Sequence, residues 1–304
     1  MITKPMTTRY ALLGSAALLL ALAACGQPAD DTAETTTPAE TAEVAENDTG
    51  DMAMADDTDV EMEVVSDDAD TATAVDTGYA QYLSRPSRPE GDAADDASRK
   101  PATVLAFMDL MPGMTVLELE AGGGYYTELL SYAVGEDGEV IMQNPAEFDA
   151  FLGDAVTNRL ADDRLANVTY SRSDFDDLEP ADASVDLVTW ILGPHELYFF
   201  PENKPDGFGD PAASYAEIFR VLKPGGAFVV IDHASASGDP ETTGGTTHRI
   251  DPAIVIELAE AAGFQLEARS DALANPGDDY TKGVFDPAVR RNTDRFLLKF
   301  RKPA

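Results

Sequence analysis

Three histidines and one glycine-rich turn carry most of the chemistry in this 304-residue chain. His195, His233 and His248 each offer an imidazole, which titrates near neutral pH and can take a proton from a nucleophile. With Glu196 and Asp232 beside them, the same side chains also hold donors suited to zinc or a similar ion. The separations are long and no His-x-x-x-His spacing is present, so the sequence assigns no metal site. The plain alternative is that each is a loop histidine bonded to backbone. The turn is Ala121-Gly122-Gly123-Gly124. Glycines there let the backbone bend and come close to a ligand, while the helix that follows offers unpaired N–H groups at its start.

The surrounding pattern says what must hold these groups. An apolar run from Thr115 to Leu119 leads into the turn, and Tyr125, Leu129, Leu130 and Ala133 follow at helical spacing. Further strands are expected over 139–143, 168–171, 184–191, 227–231, 264–269 and 295–300. Helices are expected over 98–110, from Pro145 to Leu160, over 212–222 and over 252–262. The Ser/Gly/Thr-rich stretch from Ala234 to Thr247 reads as a long loop, and the prolines of residues 78–98 suit an arm lying on the domain. Strands alternating with helices predict a mostly parallel α/β sheet covered on both faces. Ligands of such sheets bind beyond the carboxyl ends of the strands, where His195 and His233 both fall. Trp190, in an apolar strand, reads as core.

The ends of the chain have another character. Lys4 and Arg9 precede an apolar run from Tyr10 to Ala24 that closes on Leu22-Ala23-Ala24-Cys25. A basic start, an apolar centre and small residues before a cut site describe an export signal, and the run is short for a membrane span. Leu-Ala-Ala-Cys resembles the bacterial lipobox, which implies acylation of Cys25, the only cysteine, as the mature N-terminus. Gly26 at the next position favours sorting to an outer membrane. Residues 1–25 are therefore expected to be a lipoprotein signal peptide. From Gly26 to Thr77 there are about 17 acidic residues and no Lys or Arg, so residues 26–77 read as a disordered acidic linker. The folded domain is expected over 78–304, extracytoplasmic and anchored to the membrane through the lipid. With a formal net charge of −35, nucleic acid is excluded as a partner.

The later segments resemble the class I S-adenosylmethionine-dependent methyltransferases. Leu222-Lys223-Pro224-Gly225-Gly226 stands before an apolar strand. Thr247-His248-Arg249-Ile250-Asp251, Ala261-Ala262-Gly263-Phe264, Val284-Phe285-Asp286-Pro287 and Thr293-Asp294-Arg295-Phe296 are similar to a bacterial group of predicted methyltransferases with a lipoprotein signal. The resemblance, over about 95–304, implies a Rossmann-like seven-stranded sheet with S-adenosylmethionine as cofactor and a small-molecule acceptor. It implies Glu118 near the methionine end, Ala121, Gly122, Gly123 and Gly124 against the cofactor, and Asp174 at the adenine amino group. Asn144 takes the place of the acid that holds the ribose hydroxyls, and Glu120 replaces the family's usual first glycine. Substrate-side residues of this fold often follow strand four, so His195 is the first candidate for a general base and His233 the second. The competing expectation is a non-catalytic envelope protein of the same fold that holds a metabolite or a metal ion.

Overall fold

A computed structural model of the chain describes residues 78–236 and 240–304. Cys25, the signal segment and the acidic linker lie outside the described residues. Seven strands, β1 (Thr115–Leu119), β2 (Glu139–Gln143), β3 (Val168–Ser171), β4 (Val185–Ile191), β5 (Leu222–His233), β6 (Gln265–Ser270) and β7 (Arg295–Arg301), form one sheet. Their order is β3-β2-β1-β4-β5-β7-β6. β1 to β5 pair in parallel, while β7 runs antiparallel to both β5 and β6. The strand order reverses between β1 and β4, which opens a crevice above their carboxyl ends.

The helices are α1 (Ala80–Leu83), α2 (Ala93–Arg99), α3 (Pro101–Phe107), α4 (Tyr125–Val134), α5 (Asp149–Leu152), α6 (Ala155–Arg159), α7 (Pro211–Val221), α8 (Pro240–Thr247) and α9 (Pro252–Ala261). The period-two alternation of the strands splits the core into two layers. Leu117, Val188, Trp190, Phe228 and Val230 face α7 and α9 through Tyr215, Ile218, Val255 and Ala259. Val116, Val140, Leu187, Val229 and Ile231 face α3 and α4 through Val104, Leu105, Leu129 and Leu130. The seven-stranded α/β expectation holds, and Trp190 is core, with no exposed surface.

Three expectations about elements change. The helix expected over 98–110 breaks at Lys100, which is left-handed at φ 44° and directly precedes Pro101. The helix from Pro145 to Leu160 divides into α5 and α6 at Gly153, where φ is 54°. The loop expected over 234–247 contains α8. That helix lies against residues 194–198: a Cβ on Gly244 would stand 2.7 Å from the His195 carbonyl oxygen and 2.7 Å from Tyr198 Cβ. Helix propensity would not place α8 there, but close packing does.

Next to α8, Arg249 and Asp278 form an ion pair at 2.9 Å with neither side chain exposed. Arg249 also donates to the carbonyls of Ala234 and Lys282, both at 3.0 Å, so one guanidinium ties the end of β5 to the 278–282 segment. No helix among the described residues is long and apolar enough to cross a membrane. Asp278→Ala, which leaves Arg249 charged, buried and unpaired, is expected to cost about 3–5 kcal/mol in urea unfolding, and a loss below about 1 kcal/mol would contradict this account of the pair.

Candidate active site

The turn after β1 is held from below by polar side chains of β2 and α6. The Ala121 N–H donates to the Gln143 carbonyl at 2.9 Å, and the Glu120 N–H donates to Gln143 Oε1 at 2.9 Å. Asn144 forms a reciprocal pair with Gly122, accepting from its N–H at 2.8 Å and donating to its carbonyl at 3.1 Å. Arg159 Nε donates to the Gly123 carbonyl at 2.9 Å. Gly122 and Gly124 are left-handed, at φ 57° and 83°, and a Cβ on Gly124 would meet Arg159 Cγ at 2.9 Å. The backbone of the turn is thus fixed while its upper surface remains open.

Above the turn lies a recess of about 660 Å³, lined by Glu118, Glu120, Ala121, Gly122, Gly123 and Tyr125 and bounded by Arg99 of α2. The N-terminal arm closes one side of it. Arg88 grips Asp96 at 2.7 and 2.6 Å, and the Tyr125 hydroxyl donates to the same carboxylate at 2.6 Å. Glu118 is buried and accepts from Thr127 Oγ1 at 2.5 Å. Burial pushes its carboxyl up to about 8, against the opposing pull of Thr127, Arg159 and Arg99.

Glu120 does not point into the glycine turn. Its Oε2 accepts from Trp190 Nε1 at 3.0 Å. A Cβ on Gly193 would lie 2.2 Å from that oxygen and 2.0 Å from Trp190 Nε1, so only glycine leaves room for the pair. Burial and the nearby Glu196 carboxylate raise the Glu120 carboxyl well above its ordinary range, although His195 and Trp190 pull it the other way. Burial therefore favours the uncharged form of Glu120.

On the other side of Glu120 is a second cavity, of about 450 Å³, lined by Phe148, Phe151, Phe199, Phe208, His195 and His233 among others. Glu120, Phe151, Leu192 and Phe285 border both spaces. Phe151 and Phe285, at 69% and 68% exposure, form an apolar rim that the sequence alone did not reveal.

The two candidate bases differ in character. His195 is buried, and its Nδ1–H donates to the fully buried Asp232 at 2.8 Å. Burial alone would lower its pKa, but Asp232 and Glu196 outweigh burial and raise it well above the ordinary histidine value. The two carboxylates thus favour the protonated form of His195. His233 shares a 2.7 Å hydrogen bond between Nδ1 and Thr293 Oγ1, and burial with the nearby His195 holds its pKa well below the ordinary value. Of the two, His233 is in the environment that favours an unprotonated ring able to accept a proton.

Two cofactor candidates also have other partners. Asn144, expected at the ribose, is fully buried and spends its amide on Gly122. Asp174, expected at the adenine, pairs with Lys204 at 2.9 and 2.8 Å. It lines a separate recess of about 570 Å³ with Lys204 and Asp176. The neighbouring Phe175 N–H is taken by the Phe208 carbonyl at 2.9 Å. Glu118, Ala121, Gly122 and Gly123 do share the recess, and Gly124 caps α4 beneath it. Arg99 and Arg159 were not singled out by sequence, and Thr293 entered only within the Thr293–Phe296 segment, with no site role; their distant partners mark them.

Residues 110–263, about half of the chain, match a family model described as a methyltransferase domain. The chain belongs to the methyltransferase-domain family. The resemblance to the class I methyltransferases implies S-adenosylmethionine as the cofactor of that family. Among curated relatives, the ubiquinone/menaquinone biosynthesis C-methyltransferase UbiE of Legionella pneumophila is 30% identical over 125 residues, covering 41% of this chain and 44% of that protein. The protein of the same name from Vibrio vulnificus is 26% identical over 190 residues, covering 62% of each. The chain thus spans less than half the length of the first of these relatives. Among solved structures, the [4+2]-cyclase SpnF is 20% identical with a TM-score of 0.50, covering 68% of this chain and 81% of that one. A methyltransferase from Aquifex aeolicus is 22% identical with a TM-score of 0.49, covering 69% and 95%. At such identities the likeness is one of fold.

The position of Glu118 yields a pH dependence. A carboxyl raised from its ordinary value to about 8 binds a proton more tightly when folded, so its contribution is full below about pH 4.5 and is lost as pH rises to 8. Between pH 5.5 and 8.5, Glu118→Gln is expected to gain about 3 kcal/mol on the wild type in urea unfolding, and a difference that is equal at both pH values would contradict the burial argument.

Proposed function

We propose that the protein transfers a methyl group from S-adenosylmethionine to a small-molecule acceptor bound in the 450 Å³ cavity. The observation that carries this reading is the pair of adjoining spaces, one over the glycine turn and one over His233, that meet at Glu120 and Leu192. A donor and an acceptor held side by side gain most of their rate from proximity and orientation.

The recess suits the amino-acid end of the cofactor. Glu118 would face its ammonium and Arg99 its carboxylate, and Gly122, with nothing within 4 Å of a built Cβ, leaves the approach clear. Because Glu120 is bonded to Trp190 and burial favours its uncharged form, it would offer that carboxylate little repulsion. The cofactor supplies an electrophilic methyl group. His233, with Nδ1 engaged by Thr293, would receive the acceptor's proton on its other ring nitrogen. The Phe148, Phe199 and Phe208 side chains would exclude water and favour an apolar or aromatic acceptor. The curated relatives are named for methylation in quinone biosynthesis, which agrees with an aromatic acceptor.

We also propose that the protein is exported and anchored through a lipid on Cys25, with residues 26–77 as its tether. Leu22-Ala23-Ala24-Cys25 after a short apolar run supports this, and mass spectrometry of the native N-terminus tests it. Acylated Cys25 is expected; an intact Met1 would overturn the export reading.

For the reaction, the protein is incubated with S-adenosylmethionine and a panel of phenols, hydroquinones and thiols, and S-adenosylhomocysteine release is followed. Release above the protein-free rate is expected with at least one class. His233→Asn is expected to lower kcat about 10²- to 10⁴-fold with little change in KM. No release with any class would favour the binding-protein alternative, and an unchanged kcat in the variant would remove His233 as the base.

A further inference from the structure

Beside the acceptor cavity, whose lining includes His195 and Glu196, three donor atoms stand at the long end of hydrogen-bonding distance. His195 Nε2 lies 3.3 Å from Glu196 Oε1, and His248 Nδ1 lies 3.4 Å from the same oxygen. One ligand atom from each of the three residues falls within 4.8 Å of the others. A good N–H···O bond is about 2.7–3.2 Å long, so both contacts are stretched. Tetrahedral coordination gives a different spacing: with zinc–nitrogen and zinc–oxygen bonds of about 2.0–2.2 Å, neighbouring donors stand about 3.3–3.5 Å apart. The two measured distances fall in that interval. His248 Nδ1 is also a buried polar atom with no hydrogen-bond partner.

The donors are held in place rather than merely near one another. Asp232 accepts the His195 backbone N–H at 2.9 Å and its Nδ1–H at 2.8 Å, so the ring cannot turn and Nε2 is directed at Glu196. A carboxylate behind a histidine is the usual support of a ligating imidazole: it fixes the tautomer and strengthens the donor. His248 arrives from another element, at the end of α8, in a left-handed conformation at φ 54°. α8 can approach the 194–198 segment only because Gly244 has no side chain. Arg249, paired with Asp278, then anchors the residue after His248. His233 stands outside the trio.

We propose that His195 Nε2, Glu196 Oε1 and His248 Nδ1 bind one divalent ion of the zinc class, with a fourth position open to the cavity. Two imidazoles and one carboxylate select a borderline metal over magnesium or calcium, which prefer oxygen alone. Three protein ligands with one open position match a working site rather than a purely structural one. The open position would take an oxygen or sulfur donor of the molecule in the cavity. This last clause rests on the methyl-transfer reading; the ion site itself does not.

The test is zinc titration of the full-length, chelator-stripped protein at pH 7.5 against a competing indicator dye, with far-ultraviolet circular dichroism to verify folding. One equivalent at micromolar affinity or tighter is expected. Glu196→Gln and His248→Ala should each weaken binding at least about tenfold, whereas His233→Asn should leave it unchanged. Cobalt in place of zinc should give the visible absorption of a four-coordinate ion. Absence of stoichiometric uptake overturns the proposal. So does one equivalent that both folded variants retain at wild-type affinity, because the ion would then sit elsewhere, for example on the acidic stretch. Zinc binding without methyl transfer would leave the site standing and remove only the methyl-transfer reading.

Discussion

The hydrogen bond from Trp190 to Glu120 separates the two halves of this site. Glu120 occupies a position where the family usually has glycine, and an ionised carboxylate over the turn would oppose the carboxylate of the cofactor. The bond draws Glu120 toward β4, and the missing side chain of Gly193 makes room for it. Once there, the acid lies close to Glu196 and out of water, which favours its uncharged form. Glu120 thus stands between the recess over the glycine turn and the phenylalanine-lined cavity.

The rest of the arrangement is a division of charge around Glu120. Glu196 shows the opposite response: burial would raise its carboxyl, but His195 and His248 hold it down at about 2. Asp232 favours the protonated form of His195, and burial together with His195 favours the neutral form of His233. Donor affinity, proton acceptance and ion binding are thus distributed over different residues of one strand edge. The buried Arg249–Asp278 pair keeps the returning segment against that edge.

Much of the fold was legible because strand and helix periodicities are local. β1, the turn, β4 and the apolar part of β5 all lie where their patterns indicate. α8 was not legible: its composition suits a loop, and the helix depends on Gly244 packing against His195 and Tyr198. The site was legible only in part, for the same reason. Gly122, Gly123 and Glu118 follow from their place after β1. Asn144 and Asp174 were chosen from their places after β2 and β3, but their partners, Gly122 and Lys204, are fixed by tertiary contacts. The ranking of the histidines likewise turned on Asp232 and Thr293, 37 and 60 residues away in sequence.

The central claim is that Glu120, bonded to Trp190 where burial favours its uncharged form, is compatible with the cofactor. Calorimetric titration of the protein and of Glu120→Gln with S-adenosylhomocysteine tests it directly. The account predicts micromolar binding to both, with dissociation constants within about threefold of each other, since replacing a neutral acid by an amide removes no charge. No binding to the wild type at millimolar ligand, or binding at least about tenfold tighter in Glu120→Gln, would show that the carboxylate is charged and in the way.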